Sequence, residues 1–95
     1  IDYVQVRAKS LIGLAIIQRQ HKNFNLAQTY HQEAIKLLEE IEAKCDLAEA
    51  YFQFAITLKQ VKNLSQSTIY FQQAKDLFKQ LEAPRQVAKS ESFLF

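Results

Sequence analysis

The chain has no methionine, one cysteine, one glycine and one proline among 95 residues. A lone Cys45 excludes an intramolecular disulfide and a secreted disulfide framework, so a reducing, cytoplasmic setting is expected. With only Gly13 there is no glycine-rich loop to cradle a phosphate. So little Gly and Pro also leaves almost no turn chemistry for a sheet, whereas Ala, Leu, Gln, Glu and Lys are plentiful and favour helix. The longest apolar run, 11–17, contains Gly13 and falls far short of the ~20 residues a membrane span requires. No charged segment with a cleavage site opens the chain, so neither a targeting signal nor a membrane partner is expected. Without an initiator methionine, Ile1 reads as an internal start and the chain as a piece of a longer protein. Twelve Lys and Arg against ten Asp and Glu give a net charge of +2, with both signs mixed along the chain, so no basic stripe for nucleic acid stands out.

What the chain does contain is itself, twice. Displaced by forty residues, Asn23 falls on Asn63, Phe24 on Leu64, Tyr30 on Tyr70, Ala34 on Ala74, Leu37 on Leu77 and Glu42-Ala43 on Glu82-Ala83. A unit of this length cannot bury its own apolar face and therefore stacks on a copy of itself, which generally serves to present a surface. The repeats run over about 5–44 and 45–84, with a partial third over 85–95, all within one domain spanning 1–95.

Apolar residues at three- and four-residue spacing predict a first helix over Tyr3–Gln20, carried by Val4, Leu11, Leu14, Ala15 and Ile17. A second helix, capped by Asn25 and ending near Lys44, presents Leu26, Ala27, Tyr30, Ala34, Leu37, Leu38 and Ile41 on one face. Asp46 caps a third, running to about Val61, whose Leu47, Ala48, Tyr51, Phe52, Phe54, Ala55, Ile56 and Leu58 do not fit on one face. Such a helix is buried on several sides. Ser65 caps a fourth that copies the second, and Pro84 opens a fifth, cut short. Ala15, Ala27 and Ala34 recur as Ala55, Ser67 and Ala74, small side chains that let paired helices approach closely.

This pattern resembles the tetratricopeptide repeat. The second copy supplies Tyr51, Phe54, Ala55, Leu58, Leu64, Ser67, Phe71 and Ala74 at matching spacings, and the first supplies Leu11, Leu14, Ala15, Phe24, Ala27, His31 and Ala34. The usual repeat is 34 residues; here the extra residues are expected around Glu39 to Lys44, in a longer second helix, as in the lengthened repeats of kinesin light chains and multi-repeat bacterial and cyanobacterial regulators. The resemblance implies an all-α fold, a right-handed superhelical stack of antiparallel helical hairpins with four full helices and a partial fifth. It also implies a groove lined by the first helix of each repeat: Lys9, Ile12, Ile16, Arg19 and Gln20, then Glu49, Phe52, Gln53, Ile56 and Lys59, with Lys89 from the third. Ile12 and Ile16 stand where relatives that clamp a terminal carboxylate carry lysine and asparagine, so a peptide with an apolar segment, or an amphipathic helix, is the expected ligand.

Residues that could carry chemistry are scattered. His21, His31 and Cys45 lack the helical spacing of a metal site, and Glu39 and Glu42 read as a solvated face, so no metal, cofactor or catalysis is expected. The reading is a non-catalytic protein-interaction scaffold. The alternative is an oligomerisation or spacer segment of a larger multi-repeat protein, self-associating through apolar end faces such as the run Phe93-Leu94-Phe95. An RNA-binding repeat would want polar, basic residues where Ile12 and Phe52 stand.

Overall fold

The computed structural model describes residues 3–94; Ile1, Asp2 and Phe95, the last residue of the apolar terminal run, lie outside the described residues. Among these the chain forms five α-helices and no strand: α1 (Tyr3–Gln20), α2 (Phe24–Glu40), α3 (Lys44–Gln60), α4 (Leu64–Gln80) and α5 (Pro84–Leu94). Consecutive helices pack on one another, and α1 also meets α3 directly. The body measures 37 × 33 × 18 Å. Its thin dimension suits two layers of helices, each ~10 Å across.

Three-residue turns at 21–23, 41–43, 61–63 and 81–83 separate the helices, so a turn recurs every twenty residues. In each, the middle residue is left-handed: Lys22 (φ 63°), Glu42 (54°), Lys62 (64°) and Glu82 (54°). Its N–H donates to the carbonyl three residues back, and the next N–H to the carbonyl five back, as in Lys62 to Lys59 (3.0 Å) and Asn63 to Leu58 (2.9 Å). This is a Schellman ending. The residue that completes it, Asn23, Ala43, Asn63 or Ala83, is also the N-cap of the next helix, its carbonyl receiving the first helical N–H.

The turn moves the boundaries expected from capping residues. Helix α2 starts before Asn25 and stops at Glu40 rather than near Lys44, and α3 starts before Asp46. Asp46 instead accepts a hydrogen bond from Gln5 of α1. For α4 the cap is Asn63, whose side chain accepts from the N–H of Gln66, and not Ser65. Nor is the added length confined to the second helix of the repeat: α2, α3 and α4 each have 17 residues and α1 has 18. A left-handed turn fixed at every twentieth residue divides it between both helices of a hairpin.

Helix α3 joins two cores, as its all-round apolar character predicts. Leu47, Ala50, Phe54 and Leu58 pack with Ala8, Leu11 and Ile12 of α1 and with Ala34, Ile35 and Leu38 of α2. On its other side Ala48, Phe52 and Ala55 pack with Phe71, Ala74 and Phe78 of α4, and with Val87, Phe93 and Leu94 of α5. Phe93 and Leu94, read from the sequence as part of an apolar end face, are both half-buried in this second core. The small residues lie at the hairpin contacts, Ala15, Ala27, Ala34, Ala55 and Ala74 fully buried and Ser67 nearly so. Ser67 Oγ donates to the carbonyl of Ala55 across the α3–α4 contact at 2.8 Å.

Two substitutions test this backbone. A side chain in the left-handed region costs roughly 1–2 kcal/mol relative to glycine, part of which is offset by glycine's freedom in the unfolded chain. Lys62→Gly is expected to stabilise by about 1 kcal/mol, raising Tm by about 4–8 °C in a domain of this size. Gly13, mid-helix with nothing within 4 Å of an added Cβ, should gain ~0.5–1 kcal/mol as Gly13→Ala. Thermal melts by circular dichroism check both, and a lower Tm for Lys62→Gly would refute the left-handed turn.

Candidate functional site

The odd-numbered helices carry the residues expected to line a groove, and the structure sorts them by depth. Lys9, Gln20, Lys59 and Lys89 are exposed; Ile16, Arg19, Glu49, Gln53 and Ile56 are half-buried. Ile12 and Phe52, expected on the groove floor, are buried at 8% and 2% exposure. Phe52 belongs to the core because α5 lies beside it: the Phe93 ring meets its ring edge-on at 5.4 Å, and Phe71 does so at 5.6 Å. Truncating Phe52 would therefore remove core packing, at roughly 3–5 kcal/mol. The apolar surface left partly open on these helices lies at Ile16, Ile56 and Phe93.

Between α3, α4 and α5 these helices enclose a cleft of about 150 Å³ lined by Glu49, Phe52, Phe78, Arg85, Gln86 and Lys89. Small-molecule sites run to ~300–1,000 Å³, so this cleft is smaller than that range and comparable to a single large side chain. Three of its residues, Glu49, Phe52 and Lys89, are among those the resemblance implies for the groove. Phe78, Arg85 and Gln86 are not, because they come from α4 and from the first turn of α5. A shallower depression of about 600 Å³ flanks α5 near Lys79, Pro84, Val87 and Glu91.

Lysines tie α3 to α5 without an acid. Lys59 Nζ lies 5.3 Å from the centre of the Phe93 ring, and Lys89 Nζ 5.0 Å from that of Phe52. Each helix thus extends a cation over an aromatic ring of the other. Arg19 bridges α1 to α3 at the corresponding place, one repeat earlier. Its Nη1 donates to the Gln53 carbonyl (3.0 Å) and to Thr57 Oγ1 (3.3 Å), its Nη2 to Gln53 Oε1 (3.0 Å). Gln53 Nε2 in turn donates to Glu49 (2.9 Å). Arg19, expected as a free rim cation, is instead a structural brace, and partial burial lowers its pKa from the ordinary value.

This brace leads to His31, fully buried and stacked on Phe54 with ring centres 5.3 Å apart. Its Nε2 is 2.8 Å from Thr57 Oγ1, while Nδ1 has no partner. Thr57 Oγ1 also lies 3.3 Å from the Gln53 carbonyl. Placing the imidazole proton on Nε2 lets Thr57 accept from His31 and Arg19 and donate to Gln53, which leaves only a lone pair unmatched, not an N–H. His31 is the positional counterpart of Phe71 and fills an aromatic slot, as the spacing anticipated; that its partner would be Thr57 was not visible there. His21 and Cys45 are exposed, and among the described residues no three His, Cys, Asp or Glu side chains gather as metal ligands would.

Burial, and secondarily the charge of Arg19, push the His31 pKa down to about 3 from 6.5. The unfolded chain takes up a proton near pH 6.5 that the folded chain refuses until about pH 3, so this residue's contribution is intact above the upper value and is lost as pH falls between the two. The slope is ~1.4 kcal/mol per pH unit. In His31→Phe, which copies position 71, the fall in Tm between pH 7 and pH 4.5 should be smaller than in the parent chain by several degrees. Equal falls would show that His31 is not held neutral.

No protein-family model matches the chain, and no curated protein matches it.

Proposed function

We propose that the chain is a non-catalytic protein-interaction module, a right-handed stack of helical hairpins resembling lengthened tetratricopeptide repeats, which receives a partner segment across α1, α3 and α5. The observation that carries this reading is the makeup of that face. Lys9, Lys59, Arg85 and Lys89 lie exposed on the odd helices, none in an ion pair among the described residues, around half-buried Ile16, Ile56 and Phe93. Glu49 is the one acid of the cleft, and it already accepts from Gln53.

An apolar strip with a cationic margin fits an amphipathic helix or extended peptide whose apolar side chains are flanked by acids. One such side chain fills the cleft beside Phe52 and Phe78, and the flanking acids meet Lys59 and Lys89. No helix of the described residues is long and apolar enough to cross a membrane.

A labelled synthetic peptide of fifteen residues, with leucines at i, i+3 and i+7 and glutamates on the opposite face, probes this by fluorescence anisotropy. Binding should weaken as salt rises. Lys59→Glu together with Lys89→Glu should weaken it at least tenfold, and a lysine-flanked version of the peptide should bind less well. Equal binding of both peptides, or none at millimolar concentration, would overturn the reading.

A further inference from the structure

Helix α1 is apolar on two opposite faces. One packs into the core through Ala8, Leu11, Ile12 and Ala15. The other is open: Tyr3 is 84% exposed, Val6 51%, Leu14 41% and Ile17 48%, with exposed Ser10 and Gly13 between them. These positions step along the helix by alternating threes and fours, the spacing of a seam between two helices.

Elsewhere in the molecule the same face is covered. Ala8-Lys9-Ser10 recurs unchanged as Ala88-Lys89-Ser90, and Ser90 is fully buried, as is Ala50 at the corresponding place on α3. The position on α1 that would receive such a junction's cation nevertheless differs from the other two. At the other two junctions an incoming cation, Arg19 or Lys59, is received by Gln53 or by Phe93. The corresponding residue of α1 is Gly13, which offers no side chain to receive one.

We propose that the outward face of α1 pairs with the same face of a second copy of this chain, antiparallel, about a two-fold axis at Ser10. The stripe has nearly the same size profile in both directions, large at Tyr3 and Val6, small at Ser10, large at Leu14 and Ile17. Turned about Ser10, Tyr3 of one copy meets Ile17 of the other and Val6 meets Leu14, as an isologous interface demands. The small residues at the centre let the helix axes approach closely. Charge allows the same register: Arg7 falls opposite Gly13, where its aliphatic stem can lie, and not opposite a second Arg7. A single helix pair ~27 Å long lies at the small end of specific interfaces, so the dimer forms and dissociates with concentration.

Sedimentation equilibrium from about 1 to 500 µM tests this. A monomer–dimer equilibrium is expected, weakened at least tenfold by Val6→Glu while the circular dichroism spectrum and Tm stay near those of the parent chain. If Val6→Glu disturbs folding, Ser10→Cys in a Cys45→Ser background decides: mild oxidation should give a covalent dimer, whereas Lys36→Cys on exposed α2 surface should not. A monomer throughout the range, a dimer that a well-folded Val6→Glu leaves intact, or equal cross-linking at positions 10 and 36 would overturn the proposal. None of these outcomes depends on the peptide site, which lies on another side of α1.

Discussion

A residue with a left-handed backbone, placed in the middle of every three-residue turn, is the constraint on which the rest of this structure depends. Because Lys22, Glu42, Lys62 and Glu82 adopt it, each helix ends by satisfying its own last carbonyls, and the residue that completes the ending starts the next helix. No slack remains in the connection. Helix length, the angle between neighbours and the residues that meet across a junction are then repeated at fixed intervals, so a side chain's surroundings follow from its place in the cycle. None of the four is glycine, so each turn carries some backbone strain, offset by packing on both sides.

That regularity makes substitutions between repeats interpretable. Arg19, His31 and Gln53 correspond by position to Lys59, Phe71 and Phe93. The first set is a hydrogen-bonded network through Thr57, and the second is a cluster of rings in which Phe71 and Phe93 stack at 4.9 Å. One geometry accommodates two chemistries. In the polar junction His31 Nδ1 is the one buried side-chain polar atom without a partner among the described residues, which is why a buried histidine and an arginine coexist there. The stacked rings of the aromatic junction carry no ionisable group, so of the two junctions only the polar one holds a buried histidine.

The helical class, the five helices, the two-sided burial of α3 and the small-residue contacts were legible in the sequence because each rests on periodicity. Helix ends were misread by one to four residues. A Ser or Asp before an apolar run is the usual N-cap signal, yet here Ala43 and Ala83 occupy cap positions that the preceding turn had already fixed. Of the candidate groove, the exposed cations could be placed by spacing, whereas the depth of Ile12 and Phe52 could not. Ile12 is closed over by α2 and α3, and Phe52 by α5, whose approach to α3 is set by Phe93, a residue the repeat pattern fills with Gln53 and Gly13 elsewhere. Signals that recur can be read from one chain; a side chain present in a single copy has no second instance to reveal it.

How the lysines are held bears on the proposed role of the odd-helix face. A carboxylate beside Lys59 or Lys89 would fix the side chain as well as a ring does, but it would also cancel the charge and weaken attraction for an acidic segment. A ring face holds an ammonium through its quadrupole, at ~0.5–1 kcal/mol when exposed, and leaves the full charge directed outward. Phe52 and Phe93 therefore have two parts in the same reading: they close the core between α3 and α5, and they hold the two ammonium groups ordered yet un-neutralised at the rim of the cleft. Ordering before contact lowers the side-chain entropy that binding would otherwise cost, so a partner gains most of the Coulomb attraction it meets. The exchange of Gln53 for Phe93 between repeats thus changes more than a junction's polarity. It converts a cation used internally, Arg19, into one available to a ligand, Lys59.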